Sequence, residues 1–227
     1  EIKSKFIAVE SNVIVPVRSA STNEEYSAAT FRPKIKRLIN LYLNRVQDVR
    51  VSHTSLDFKF KSVNLNSPAS IMDEMNIDTS VAPVDWIKGG TSKAVRLLNS
   101  FIKQKLDDYP EKRNHPSSDF SSNMSPYLRF GQISPVYIAQ KILETESPGR
   151  DFFLDELIIR RELSFNFVYY NNNYDNINSL PAWAINSLLK HESDARRIIY
   201  SKIEFEKART HDIYWNAAQT ELLTTGK

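Results

Sequence analysis

Apolar residues recur at helical spacing through most of this chain. The densest stretch is 151–170, D-F-F-L-D-E-L-I-I-R-R-E-L-S-F-N-F-V-Y-Y. It reads as the most apolar helix of the chain and carries Glu156, Arg160, Arg161 and Glu162 amid its aromatic and aliphatic residues. Residues 91–109 read as an amphipathic helix, with Val95, Leu97, Leu98, Phe101, Ile102 and Leu106 on one face and Pro110 as its stop. Ser134-Pro135 supplies an N-cap followed by proline at the first helical position, and that helix is predicted to run to about Thr145. Shorter helical pieces are predicted over 181–190, 192–199, 203–208 and 211–224, with an Asn-rich loop over 171–178. No strand pattern appears from residue 91 onward.

The first third differs. Residues 6–17, F-I-A-V-E-S-N-V-I-V-P-V, predict two short β runs split by a Ser-Asn turn. A helix is expected from Asn23-Glu24-Glu25, broken at Phe31-Arg32-Pro33 and resumed from Ile35. Residues 49–63 alternate and read as a short strand region or as irregular chain, while 64–90 are rich in Ser, Pro, Asn and Asp. The expected organisation is the end of an α/β domain over 1–63, a linker over 64–90 and a helical domain over 91–227. The fold class is mainly α.

Composition narrows the chemistry. The chain has no Cys, which removes disulfides, thiolate metal sites and thiol nucleophiles, and which suits a reducing intracellular compartment. Its four His lie far apart without ligand spacing, so no metal site is expected. Five Gly form neither a Rossmann fingerprint nor a P-loop. No apolar run reaches the ~18 residues of a membrane span, and no signal-peptide pattern opens the chain. Thirty basic residues face twenty-seven acidic ones, so only a local basic face could point to a polyanion partner. The chain begins at Glu and stops just after a helical pattern, and both ends are expected to be cut from something longer.

The window Ser121 to Ser134, S-S-N-M-S-P-Y-L-R-F-G-Q-I-S, crowds short donors (Ser121, Ser122, Asn123, Ser125) into a turn before a helix start. Such a cluster either holds a phosphate or is an ordinary capped loop. Glu156 and Arg160 stand four apart, the spacing of a charge pair on one helix face. Arg160-Arg161 reads as a phosphate contact or a solvated edge. Trp215 and Asn216 sit in a helix beside Ala217 and Ala218, where a lone Trp is usually core. Tyr109, beside Pro110, reads as a packing aromatic.

Taken in order, these strings resemble one family. The Ser121 window is similar to the flavin diphosphate-binding segment of photolyases. D-E-L-I-I-R-R-E-L-S-F-N-F and A-R-T-H-D-I-Y-W-N-A-A-Q-T-E-L-L-T-T-G-K resemble class II cyclobutane pyrimidine dimer photolyases, as does V-P-V-R-S-A-S-T-N-E-E-Y-S-A-A-T-F-R-P-K-I. The resemblance implies a helical domain that holds FAD without a Rossmann loop, and light-driven repair of pyrimidine dimers in DNA. It implies flavin contacts from Tyr109, Ser121, Ser122, Asn123, Met124, Ser125 and Arg160. It implies Glu156 between flavin and dimer, Trp215 as a member of an electron relay, and Arg161 and Asn216 on the DNA side. A monomer acting wherever the DNA lies is expected. Most of the family's N-terminal antenna domain, all but its last β and helix, and its C-terminal flavin-domain segment, with the flavin-proximal tryptophan, are expected outside this chain. A cryptochrome-like photoreceptor and a flavin-free helical DNA-binding module are the alternative readings.

Overall fold

A computed structural model describes residues 6–44 and 83–226, with 50, 52, 54, 57, 59, 61, 64, 66–75 and 77 between them. Among these residues there are helices and no strands, in agreement with the mainly-α class. The chain divides into two compact units, one of residues 1–46 with 89–195 and one of 47–88 with 196–227.

In the first unit the two expected β runs over 6–17 do not form. The segment is irregular, and Val17–Ala20 closes it with a single helical turn. Its backbone donors find side chains instead of a neighbouring strand. Ile14 N and Val15 N donate to the Glu162 carboxylate at 2.6 and 3.2 Å, and Val17 N donates to Glu10 at 2.7 Å. β-branched residues favour extended backbone, but a strand needs a ladder partner, and here a carboxylate takes that place.

The next helix is Ala28–Tyr42, capped by Ser27, whose hydroxyl accepts from Thr30 N at 3.4 Å. It starts later than Asn23, and Pro33 does not break it. Phe31 and Ile35, buried on either side of Pro33, hold it continuous. Packing thus outweighs the loss of one internal hydrogen bond. Within the stretch 64–90, expected as a linker, Pro68–Glu74 is a short helix. Most of 49–63, expected as alternating chain, lies outside the described residues.

Thr91–Gln104 buries Ala94, Leu98 and Phe101, ending five residues before the expected Tyr109. Pro135–Leu143 starts as expected, with the Ser134 hydroxyl accepting from Val136 N at 3.2 Å. Helix 150–170 then runs through Arg150–Leu154, a π-helical stretch Asp155–Arg160 and Arg161–Tyr170. It starts at Gly149, where a Cβ would stand 1.8 Å from the Leu106 carbonyl oxygen, so only glycine admits this approach. Ala182–Lys190 follows the Asn-rich loop, and the helix expected over 192–199 is absent. Every buried apolar side chain among the described residues belongs to the first unit. In the second unit, Lys202–Glu206 opens with a capping box from Ser201 and Glu204, and Ile213–Thr225 is capped by Asp212. No described helix is long and apolar enough to cross a membrane.

Candidate functional site

Tyr109 is fixed by rings. It meets Phe101 edge-on at 5.6 Å and Phe153 at 5.4 Å, and those two lie 4.9 Å apart. This triangle ties the turn after the 91–104 helix to the start of helix 150–170. Four residues beyond Tyr109, Arg113 folds back so that its guanidinium carbon lies 5.5 Å from the Tyr109 ring centre. Its Nη1 then reaches Glu156 Oε1 at 2.7 Å. Hydrogen bonding to Tyr109 and then to Glu156 raises the Arg113 pKa above its already high value, against the opposing pull of burial. Arg113 therefore stays a cation.

The pairing of Glu156 departs from expectation. Arg160 makes its ion pair with Asp155 at 3.6 Å, not with Glu156. The cause is the local helix type. In a π turn the repeat lengthens to i→i+5, so positions 155 and 160 stack while 156 and 160 no longer do. Asp155 is also gripped by Arg32, Nε to Oδ1 at 2.9 Å and Nη2 to Oδ2 at 3.1 Å. With Asp155 held by two arginines, Glu156 faces Arg113. π turns inside α-helices occur frequently at functional sites.

The Ser121–Ser125 bend is held by its own short side chains. Ser121 Oγ donates to Asn123 Oδ1 at 3.1 Å, and Met124 N donates to Ser122 Oγ at 3.4 Å. Asn123 Nδ2 donates to Asp119 Oδ1 at 3.4 Å, and Asn123 itself has φ of 53°, a left-handed turn that Asn tolerates better than most residues. Met124 is buried and anchors the bend from beneath. Ser121, Ser122 and Asn123 are half-buried and Ser125 is exposed. The helix that follows, Ser125–Arg129, has no side-chain cap.

Arg161, one residue past the π turn, lies with its guanidinium 4.9 Å from the Phe165 ring centre. Its Nη1 is buried without a hydrogen-bond partner. Burial lowers its pKa, and the neighbouring Glu162 charge opposes that shift. In the second unit, Trp215 Nε1 donates to the Phe205 carbonyl at 3.4 Å, and the two rings meet edge-on at 5.1 Å. Asn216 uses its whole amide on Thr210, accepting from its N and Oγ1 at 3.0 and 2.9 Å and donating to its carbonyl at 2.7 Å.

Sequence reasoning missed Arg113, although its signal was present as a cation one helical turn after Tyr109. It also missed a row of polar residues in helix 150–170. Glu162, Asn166 and Tyr170, at i, i+4 and i+8, all bind the backbone of segment 14–25. Asn166 Oδ1 accepts from Glu25 N at 2.7 Å and its Nδ2 donates to the Asn23 carbonyl at 3.1 Å. Tyr170 Oη donates to the Ser21 carbonyl at 2.7 Å. Within the string R-R-E-L-S-F-N-F, Glu162 and Asn166 thus both serve segment 14–25.

Across 220 residues, 96% of this chain, the sequence is 45% identical to the deoxyribodipyrimidine photolyase of Methanothermobacter thermautotrophicus. Four relatives that align with nearly the whole of this chain are deoxyribodipyrimidine photolyases. The photolyase of Potorous tridactylus is 34% identical over 228 residues, and that of Arabidopsis thaliana 36% over 231. The chain covers 48%, 42% and 46% of these three photolyases, so it spans about half the length of the relatives it matches. No protein-family model matches it.

Proposed function

We propose that this chain is the flavin-cradling and lesion-facing part of a class II photolyase, which splits cyclobutane pyrimidine dimers in DNA under light. The observation that carries the reading is the 45% identity, over 96% of the chain, to a relative named deoxyribodipyrimidine photolyase. The class II assignment rests on the strings R-R-E-L-S-F-N-F and W-N-A-A-Q. The protein acts as a monomer, in whichever compartment holds the DNA.

The donor set suits FAD. Ser121, Ser122, Asn123 and Ser125 supply hydroxyl, amide and backbone donors in one bend, the chemistry a diphosphate needs, and Met124 keeps that bend on the core. Tyr109 stands on the same unit against Arg113, and Arg160 completes the flavin side. When bound and reduced, the flavin supplies the light-driven electron.

Glu156 and Arg113 act as one group. With Arg113 on Oε1, the carboxylate meets the lesion as half of a neutralised pair and not as a bare negative charge. That is the favourable arrangement where negative charge arrives on a substrate. Removal of either member would leave the other unbalanced.

Photolyases are among the enzymes that take their target out of the DNA stack, and a damaged, poorly stacked pair is the cheapest to flip. Arg161 is the residue assigned to the DNA side; its Nη1 is buried, so a backbone phosphate would meet the rest of this half-buried side chain. Asn216 holds the turn 210–212 in front of Trp215, and a direct DNA contact from it would exchange its Thr210 bonds. Trp215 passes electrons toward the flavin. Phosphate contacts make binding weaken as salt rises.

The test uses the complete protein. Purified with added FAD, it is expected to show flavin absorbance and to restore dimer-containing oligothymidine in light and not in darkness. A colourless protein that takes up no FAD, or a flavoprotein that leaves dimers intact under illumination, refutes the reading; the second result favours a photoreceptor.

A further inference from the structure

Four aromatic residues of the second unit form a connected set around Trp215. Trp215 meets Phe205 at 5.1 Å and 74°, and Phe205 meets Tyr200 at 5.4 Å and 75°. The Tyr200 ring stacks beside the His211 ring at 5.8 Å and 18°. One residue binds the Tyr200 hydroxyl twice. The oxygen accepts from the His211 backbone N–H at 2.8 Å and hydrogen-bonds His211 Nδ1. In the tautomer with the His211 ring proton on Nε2, the phenol donates its own proton to Nδ1.

This is the environment an oxidisable tyrosine requires. Loss of an electron turns a phenol into a strong acid, so the electron leaves readily only where a base takes the proton. Three other tyrosines are partnered differently. Tyr170 donates to the Ser21 carbonyl, Tyr42 to the Ser19 hydroxyl, and Tyr109 lies against the Arg113 cation. At the other end of the set, Trp215 Nε1–H is bonded to the Phe205 carbonyl, which is no base. An oxidised Trp215 therefore has no proton acceptor in that bond and remains a strong oxidant.

We propose that Tyr200, with His211 as its proton acceptor, is a redox-active tyrosine that reduces oxidised Trp215. The inference rests on the reading of Trp215 as an electron carrier. In the step one electron passes from the Tyr200 phenol to the Trp215 radical cation, which becomes neutral tryptophan. The phenolic proton moves to His211 Nδ1. The products are a neutral tyrosyl radical and an imidazolium, with charge and atoms conserved. Phe205 is not oxidised; its ring closes the gap between donor and acceptor. His211 is exposed, so its acquired proton passes to water. The tyrosyl radical then awaits a one-electron reductant from solution, such as a thiol.

The experiment needs no flavin. In this chain, azide radicals from pulse radiolysis oxidise tryptophan, and absorbance follows the tryptophanyl and tyrosyl radicals. A fast phase is expected in which tryptophanyl signal becomes tyrosyl signal, slowed in D2O. W215F and Y200F should each lose that phase while keeping the far-UV circular dichroism of the parent. H211F should slow it, because the proton must then go to solvent. Electron paramagnetic resonance on protein with ring-deuterated tyrosine should show a narrowed radical in the parent and lose it in Y200F. A Trp215 radical that decays equally fast in the parent and in Y200F overturns the tyrosine proposal alone. If W215F matches the parent in every phase, Trp215 is not oxidised and the electron-carrier reading falls with it.

Discussion

Glu156 and Glu162 stand six residues apart on helix 150–170 and are treated in opposite ways. Glu156 sits in the π turn with its side chain 35% exposed, and it meets a cation, Arg113, at 2.7 Å. Glu162 is 1% exposed and meets two backbone N–H groups. Burial pushes its carboxyl up to about 7, although both N–H bonds and the Arg161 charge pull the other way. A third carboxylate completes the contrast. Burial also pushes Glu25 up, yet its hydrogen bonds to Lys34 and Ser21 win and its pKa falls. Desolvation dominates where the partners are neutral, and it is overcome where a bonded ammonium balances the charge. One helix thus carries a carboxyl group that holds the fold and another, Glu156, for which we propose a part in the chemistry.

The sharpest way to break this contrast is to truncate the buried member. Glu162→Ala leaves Ile14 N and Val15 N without acceptors and opens a hole under segment 13–15. The expected cost is about 3 kcal/mol or more, read as a lowered urea midpoint. A change within about 0.5 kcal/mol would mean that the N-terminal segment is held by other contacts.

Protonation probes the same group more gently. The Glu162 carboxyl ionises near 4.5 in the unfolded chain and near 7 in the fold. Between those values folding takes up a proton. Its contribution is therefore fully present below 4.5 and is lost as pH rises through 7. The shift corresponds to about 3 kcal/mol at most. Urea unfolding from pH 5 to 8 should show stability falling over this window, and Glu162→Gln should flatten the slope. An equal slope in both proteins would assign the effect to another group.

Asn166→Ala is smaller again. It removes the acceptor for Glu25 N and the donor to the Asn23 carbonyl, both at a buried position, and should cost about 2 kcal/mol in the same titration. This residue also shows what the sequence conveys. The helices over 91–104, 135–143, 150–170 and 213–225 are legible because their apolar periodicity is strong and their caps are local. The strands expected over 6–17 fail for a reason no local pattern holds, since their partner is a carboxylate about 150 positions away. Pro33 misleads in the same manner, because burial of Phe31 and Ile35 decides the helix there. In the site, Tyr109 and the serine bend are recognisable as strings. The Arg113–Glu156 contact is not, because a π turn reassigns every i,i+4 expectation around it, and periodicity of 3.6 gives no warning of one.

The smallest expected effect on the fold is the most telling for function. Glu156→Gln keeps the shape of the side chain and weakens only its ion pair with Arg113, a half-exposed contact at 2.7 Å. Such pairs contribute about 0 to 1 kcal/mol, so the urea midpoint should barely move and FAD should still bind to the complete protein. The neutralised pair would become a neutral amide beside an uncompensated guanidinium. Repair yield per absorbed photon should then fall while dimer affinity and flavin content hold. Arg113→Lys tests the other half, because an ammonium retains the charge but not the planar contact with the Tyr109 ring. A fall in yield for both variants, with stability near that of the parent, places the pair in the chemistry. A large loss of stability for Glu156→Gln with unaltered yield would make it a second Glu162, a strut, and the contrast between the two carboxylates would vanish.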